Sequence, residues 1–143
     1  MSKGKLLIID DEMAICTTLS KLLADQGYTT SYSLSGNAGI QAAKEEKYDI
    51  VLLDLQLPDI NGLEILRRIK AINPNIVAII ITAHPSPETI KEALKNGAHD
   101  YIVKPFNLEQ LIFAIEKASS FCNLLISNKK LKDELDKKHK TTT

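Results

Sequence analysis

Residues 50–62 read IVLLDLQLPDING, an apolar run of strand-forming residues that ends at Asp54 and is followed by turn residues. Three further runs share this continuous apolar character, namely LLII at 6–9, IVAIII at 76–81 and YIV at 101–103. Continuous rather than alternating apolar runs are typical of strands that are buried on both faces of a parallel sheet. The sequence therefore predicts four such strands.

The segments between these runs carry apolar residues at helical spacing. These residues are Ile15, Leu19, Leu22 and Leu23; Leu63, Leu66 and Ile69; Ile90, Ala93 and Leu94; and Leu108, Leu111, Ile112 and Ile115. A fifth strand is predicted at Thr29–Ser33, at an edge of the sheet, and a further helix near residues 37–46. Because strands and helices alternate, we expect an α/β fold with a doubly wound, five-stranded parallel sheet and helices on both faces.

Length and composition limit what the chain can be. Its 143 residues allow one domain and an added helix or tail, and 18 Lys and Arg balance 18 Asp and Glu. This balance gives no global attraction to nucleic acid, anionic membranes or acidic substrates. No apolar stretch approaches the roughly 18 residues of a membrane span, and the start of the chain does not form a secretory signal. We expect a cytoplasmic protein that binds neither membrane nor nucleic acid.

The two cysteines support the same compartment. Cys16 and Cys122 are far apart in the chain and lack the spacing of a metal site or of a redox motif. They are predicted to be small core or half-exposed thiols in a reducing cytosol.

Polar residues follow the predicted strands at the points where they end. Asp10 and Asp11 follow the first strand, Asp54 ends the third, and Thr82 and Lys104 follow the last two. Because ligands of open α/β sheets bind beyond the carboxyl ends of the strands, we expect these side chains to converge. Three neighbouring carboxylates repel one another unless a cation is present, and Mg²⁺ prefers such oxygen ligands. An aspartate in this setting can act as a nucleophile towards phosphorus.

These residues resemble a known family, the receiver domains of bacterial two-component response regulators. The resemblance covers residues 4–120 and rests on LLIIDDE (6–12), IVLLDLQLPDING (50–62), VAIIITA (77–83) and DYIVKPF (100–106). It is strongest to receivers that precede a σ54-activator ATPase. It implies a flavodoxin-like strand order of 2-1-3-4-5 and a phosphorylation-dependent signalling switch rather than an enzyme that turns over substrates.

The resemblance also assigns roles in the site. It implies that Asp54 accepts a phosphoryl group from a sensor histidine kinase or a small phosphodonor. Mg²⁺ would be bound by Asp11, Asp54 and the backbone carbonyl of Gln56, and Asp10 would assist through water. Lys104 would pair with the phosphoryl oxygens, and the peptide bond between Lys104 and Pro105 would be cis.

Four further residues have implied regulatory roles. Thr82 would move to hydrogen-bond the phosphoryl group, and Tyr101 would turn inward into the space that Thr82 leaves. This change would alter the face formed by the fourth helix, the fifth strand and the fifth helix, which controls dimers or output contacts. Gln56 and His84 flank the path of the attacking water and are expected to tune the lifetime of the phosphoryl group.

Beyond the receiver-like residues 1–120, residues 121–143 are predicted to form a helical extension or linker. Leu124, Asn128, Leu131 and Leu135 recur at spacings of four, three and four, which is typical of a short coiled coil. Residues 129–140 hold six lysines and three acidic residues, so the neutral total hides an acidic domain and a basic tail. A homodimer through this helix, or an output domain beyond Thr143 that acts in transcription regulation, is expected from the resemblance.

Other functions remain open. One is a stand-alone phosphotransfer receiver, and another is a receiver that signals by binding alone, which the complete set of site residues disfavours. A Mg²⁺-dependent aspartyl-phosphate phosphatase is disfavoured because Gln56 occupies the position of its second acid. A nucleotide- or flavin-binding module lacks the glycine-rich loop that it needs after the first strand.

Overall fold

The computed structural model describes the backbone of residues 2–141 and the side chains of residues 2–125 and 131. Five strands and five helices alternate along residues 2–141. The strands are β1 (Lys5–Ile9), β2 (Thr29–Ser33), β3 (Ile50–Asp54), β4 (Val77–Thr82) and β5 (Ala98–Val103). The helices are α1 (Met13–Asp25), α2 (Gly36–Glu45), α3 (Gly62–Ile72), α4 (Pro87–Lys95) and α5 (Leu108–Thr141).

The five strands form one parallel sheet in the order β2-β1-β3-β4-β5. This order confirms the predicted doubly wound fold and places β2 at an edge. Because β1 and β4 flank β3, the residues at their carboxyl ends come together around Asp54. Asp54 itself lies beside Ile81 of β4 in the register, one position before Thr82.

The two faces of the sheet carry two separate cores, because successive strand side chains point to opposite faces. Leu6 and Ile8 of β1 pack on the side of α1 and α5, whereas Leu7 and Ile9 pack on the side of α2, α3 and α4. All four residues are at most 1% exposed. Burial on both faces is the reason that the strand reads as a continuous apolar run.

The helix boundaries follow local capping chemistry. The Ser86 side chain accepts a hydrogen bond from the backbone N–H of Thr89 at the start of α4, as its position before Pro87 predicts. In α2, Gly39 packs directly against the side chain of Ile9, and a Cβ at this position would overlap Ile9. The glycine therefore brings α2 close to β1.

The last helix continues well past the other elements. α5 runs from Leu108 to Thr141, and Leu124 and Leu131 are 61% and 58% exposed. Two members of the predicted coiled-coil series, Asn128 and Leu135, lie outside the described side chains. In the part of the chain that the structure describes, no helix has the length and apolar character needed to cross a membrane.

Candidate functional site

Polar side chains are buried at the carboxyl ends of the three strands β1, β3 and β4, and Ser33 is buried at the end of β2. Asp10 follows β1, Asp54 ends β3 and Thr82 ends β4, and they are 1%, 4% and 1% exposed. Burial of a charge costs free energy unless the charge is paired. The surroundings of the two aspartates must therefore supply a partner.

Lys104, which follows β5, supplies that partner. Its Nζ lies 2.8 Å from Asp10 Oδ2 and 3.0 Å from Asp54 Oδ2, so one ammonium bridges both carboxylates. The backbone of Lys104 is held as well, because its backbone N–H donates to the Thr82 carbonyl at 2.8 Å. The Lys104–Pro105 peptide bond is cis, as the family resemblance implies.

The second oxygen of each aspartate is held by the backbone. Asp10 Oδ1 accepts a hydrogen bond from the Glu12 N–H, and Asp54 Oδ1 accepts one from the Gln56 N–H, both at 2.9 Å. Each carboxylate is thus fixed between a loop amide and the Lys104 ammonium. Such fixed orientation is what a reacting oxygen needs, because positioning contributes a large part of catalysis.

Electrostatics favour the charged form of the lysine. Burial acts to lower the pKa of Lys104, but the hydrogen bonds and charges of Asp10 and Asp54 outweigh it, and the pKa lies above its ordinary value. Lys104 is therefore an ammonium at neutral pH. It offsets only part of the negative charge of this pocket.

A cluster of acids opens from the buried pocket to solvent. Carboxylate oxygens of Asp10, Asp11 and Glu12 lie within 4.8 Å of one another, with Asp10 buried and the other two exposed. Hard carboxylate oxygens at one strand end are suited to a divalent cation such as Mg²⁺. The sequence prediction named Asp10 and Asp11 but missed Glu12, whose position directly after the two aspartates was the available signal.

The remaining predicted residues surround the pocket at different depths. The Oγ1 of buried Thr82 accepts a hydrogen bond from the backbone N–H of His84 at 3.1 Å. The side chains of Gln56, His84 and Tyr101 are exposed, and Tyr101 is 41% exposed on β5. The structure thus brings Asp10, Asp54 and Lys104 into contact and leaves Gln56, His84 and Tyr101 at the surface.

Two further contacts were not predicted from sequence. The Cys16 thiol donates to the Asp10 carbonyl at 3.3 Å, and burial, followed by the charge of Asp10, raises the pKa of Cys16 to about 11. Asp59, in the loop after Asp54, accepts hydrogen bonds from the backbone N–H groups of Gly36 and Asn37, both at 2.9 Å. These amides start α2, so Asp59 ties the β3–α3 loop to that helix, a contact that no local sequence signal predicts.

The sheet order and the acidic pocket at its carboxyl edge define an α/β protein of the flavodoxin-like, CheY-like class. Residues 6–116 match the family described as response regulator receiver domain, and the chain belongs to this family. Receiver domains are signalling modules of two-component systems.

Similar proteins fall into two groups by length. The chain is 40% identical to the transcriptional regulatory protein ZraR of Escherichia coli K12 over 113 residues, which are 79% of this chain and 26% of ZraR. It is 35% identical to the sporulation initiation phosphotransferase F of Bacillus subtilis over 117 residues, 82% of this chain and 94% of that protein. The crystal structure of NtrX from Brucella abortus superposes with a TM-score of 0.84 at 29% identity, covering 92% of this chain and 30% of NtrX. The chain thus spans about a quarter of the ZraR relatives.

Proposed function

We propose that the chain is a phosphorylation-activated switch in which Asp54 accepts a phosphoryl group from a sensor histidine kinase. The observation that carries this proposal is the 3.0 Å contact between Lys104 Nζ and Asp54 Oδ2 in a pocket where Asp54 is 4% exposed. A buried, oriented carboxylate beside a fixed ammonium is suited to attack phosphorus and then to retain the product.

The transfer needs little other chemistry from the protein. An Asp54 carboxylate oxygen forms the new O–P bond, the N–P bond of the donor phosphohistidine breaks, and its electron pair returns to the imidazole. Lys104 then pairs with the phosphoryl oxygens and partly balances their charge. Asp10 remains hydrogen-bonded to the Glu12 N–H, which keeps the second acid oriented.

We propose that the acidic pocket binds Mg²⁺ through the carboxylates of Asp11 and Asp54 and the backbone carbonyl of Gln56, with Asp10 acting through water. The support is the group of carboxylate oxygens of Asp10, Asp11 and Glu12 within 4.8 Å of one another. A bound magnesium ion supplies charge neutralisation for the transferring phosphoryl group. Glu12 adds an exposed carboxylate on the solvent side of this set.

We propose that Thr82 and Tyr101 form the switch. The Thr82 hydroxyl oxygen accepts from the backbone N–H of His84, which leaves the Thr82 O–H free to donate to a phosphoryl group on Asp54, a strong charged acceptor. Tyr101 is 41% exposed on β5 and would turn inward when Thr82 moves. Gln56 and His84, both exposed beside the pocket, are proposed to tune how fast water removes the phosphoryl group.

The output follows from the surfaces beside the switch. We propose that residues 1–120 form the receiver and that the extension from residue 121 transmits its state. The altered face is α4, β5 and α5, which controls a homodimer, through this face or the C-terminal helix, or an output domain beyond Thr143. Similarity to the transcriptional regulatory protein ZraR supports transcription regulation as the process. We propose the cytoplasm as its location.

A second function has its own support. The sporulation initiation phosphotransferase F is matched over 94% of its length, so a receiver of this size also exists as a separate protein. A stand-alone phosphotransfer receiver would use the same Asp54 chemistry and pass the phosphoryl group to another histidine. A switch that controls a homodimer changes its oligomeric state on phosphorylation, whereas a stand-alone phosphotransfer receiver has no need to.

Incubation with Mg²⁺ and acetyl phosphate tests the shared chemistry. The intact mass should increase by one phosphoryl group, and peptide mapping should place it on Asp54. The Asp54→Asn variant should gain nothing, whereas Asp25→Asn, which changes an exposed aspartate at the end of α1, should react like the wild type. An unmodified wild-type chain, or equal modification of Asp54→Asn, would exclude Asp54 as the acceptor. Size-exclusion chromatography with beryllofluoride then tests for control of a homodimer, because a dimer-controlled switch changes its elution and a stand-alone phosphotransfer receiver does not.

A further inference from the structure

A cavity of about 320 Å³ lies at the amino ends of β4 and β5. The acidic pocket lies at the opposite, carboxyl ends of the strands. Its wall includes the end of α3, the loop after it, the start of β5 and one side of α5. The residues that matter for its chemistry are Lys70, Ile76, Gly97, His99, Phe121 and Leu125. The volume lies at the small end of the range of about 300–1,000 Å³ that is typical of ligand sites.

The cation in this cavity is Lys70, whose hydrogen bonds go to backbone carbonyls. Lys70 Nζ donates to the carbonyls of Pro74 at 2.9 Å and Ile76 at 2.8 Å, which uses two of its three N–H groups. Among the side chains that the structure describes, no carboxylate forms an ion pair with Lys70. Burial lowers the pKa of Lys70, and the opposing influence of Cys122 is smaller. An ammonium in this setting favours an incoming anion.

The rest of the wall is mainly apolar, with Asn75 and the His99 ring as its polar members, and Gly97 limits its shape. The His99 ring lies 4.8 Å from the Phe121 ring, centroid to centroid, and Ile76 and Leu125 add aliphatic surface. Gly97 has a φ of +99°, and a Cβ there would lie 3.0 Å from Lys70 Cε. Any larger residue would press on the Lys70 stem and reduce the space.

We propose that this cavity binds a small organic carboxylate with an apolar body of about ten heavy atoms, the size that ligand-efficiency limits allow at millimolar affinity. The carboxylate accepts the remaining N–H of Lys70, and the apolar body packs against Phe121 and Leu125. The site shares no residue with the acidic pocket. A failure of this proposal would therefore leave the proposed role of Asp54 unaffected, and the reverse also holds.

Nuclear magnetic resonance titration of the full chain with phenylacetate tests the proposal. Amide shifts should appear at Gly97, His99 and Phe121, with a Kd of about 1 mM. Phenylacetamide, which keeps the ring but loses the charge, should bind about tenfold more weakly, because charge-assisted hydrogen bonds are the stronger ones. Acetate, which lacks the apolar body, should also bind about tenfold more weakly.

Variants separate the ammonium from the general charge of the chain. Lys70→Met keeps the apolar stem and should weaken phenylacetate binding by about tenfold or more. Lys21→Met changes an exposed lysine of α1 that does not line the cavity and should leave binding unchanged. Equal binding of phenylacetate and phenylacetamide by the wild type would overturn the proposal even where Lys70→Met folds poorly. Shifts confined to the amides around Lys104 would also overturn it, because they would assign the anion to the acidic pocket.

Discussion

Lys104 at the end of β5 and Asp10 at the end of β1 are 94 positions apart in the chain, and their charged atoms lie 2.8 Å apart. The same ammonium contacts Asp54 at 3.0 Å, so three strand ends are joined by one side chain. A buried charge that loses its partner is costly, whereas a surface ion pair contributes little. The stability of the site therefore depends on Lys104 before any phosphoryl group is bound.

Substitution Lys104→Met should lower the free energy of unfolding by about 3 kcal/mol at neutral pH, because it leaves two buried carboxylates without their cation. Urea denaturation without divalent ions measures this loss. Addition of Mg²⁺ should recover part of it, since a ligand of the native state stabilises that state. The matched control is Lys117→Met, which breaks a pair with Asp100 at a lysine side chain that is 51% exposed. This control should cost less than about 1 kcal/mol, and an equal loss in both variants would contradict the buried-pair interpretation.

Alkaline pH should remove the contribution of Lys104. Because the native pKa of Lys104 is raised above the ordinary value of 10.5, its stabilisation is fully present below pH 10.5 and is lost as the pH rises through the native pKa. The difference in unfolding free energy between the wild type and Lys104→Met should therefore stay constant near neutrality and narrow above pH 10.5. Other lysines and tyrosines titrate in both proteins and cancel in this difference. A difference that narrows already below pH 9 would require another group to be responsible.

The parts of the molecule that sequence predicted share one physical feature. β1, β3 and β4 are buried on both faces, so each appears in the sequence as a continuous apolar run. The polar residues at the carboxyl ends of these runs, Asp10, Asp54 and Thr82, could therefore be predicted as site residues. β5 was predicted only for residues 101–103, but it begins at Ala98. The prediction was too short because exposed His99 and half-buried Asp100 interrupt the apolar pattern of this edge strand. A register irregularity opposite Ala78 and Ile79 accompanies this polar start. Local pattern cannot report such tertiary pairing.

The same limit explains what was missed around the site. The two hydrogen bonds from the start of α2 to Asp59 join residues that are 22 and 23 positions apart in the chain. They depend on how the loop before α2 packs against the loop after β3. The bridge from Lys104 to Asp10 could be expected only as convergence at one edge, and its distances come from the packed sheet. Glu12 was identifiable in principle, since it follows Asp11 directly.

Substitution Gly62→Ala should lower the free energy of unfolding by about 2–3 kcal/mol, because overpacking forces backbone shifts. A Cβ at Gly62 would lie 2.5 Å from the Cα and carbonyl oxygen of Leu55, the residue after Asp54, and backbone cannot rotate away. Gly36→Ala is the matched control, since its Cβ would meet the end of the Ile65 side chain at 2.6 Å. The end of a side chain can shift more easily than backbone, so we expect a smaller loss for Gly36→Ala, of about 1 kcal/mol, by thermal unfolding. A larger loss for Gly36→Ala would contradict this ranking.

Labelling with iodoacetamide should modify Cys16 slowly in the native protein. Burial and the charge of Asp10 raise the pKa of Cys16 to about 11, and the thiolate is the reactive form. The rate measured in Cys122→Ser should therefore keep rising through pH 9 and 10, with an increase of about tenfold per unit. In Cys16→Ser, the half-buried Cys122 should react faster at each pH. A rate for Cys16 that levels off near pH 9, the ordinary range of a thiol, would show that the native state does not protect it.

Substitution His84→Ala should lengthen the half-life of phosphorylated Asp54, with a change on the order of tenfold. The side chain of His84 is exposed. The backbone N–H of His84 donates to the Thr82 hydroxyl oxygen at 3.1 Å, which holds the loop after β4 beside the acidic pocket. An imidazole there can accept a proton from the water that attacks phosphorus. The half-life is measured from the decay of the phosphorylated mass at several pH values from about 6 to 8. His99→Ala, at the amino end of β5, is the matched control and should decay like the wild type. An unchanged half-life in His84→Ala across this pH range would remove the assigned role, and a shortened one would show that His84 shields the phosphoryl group instead.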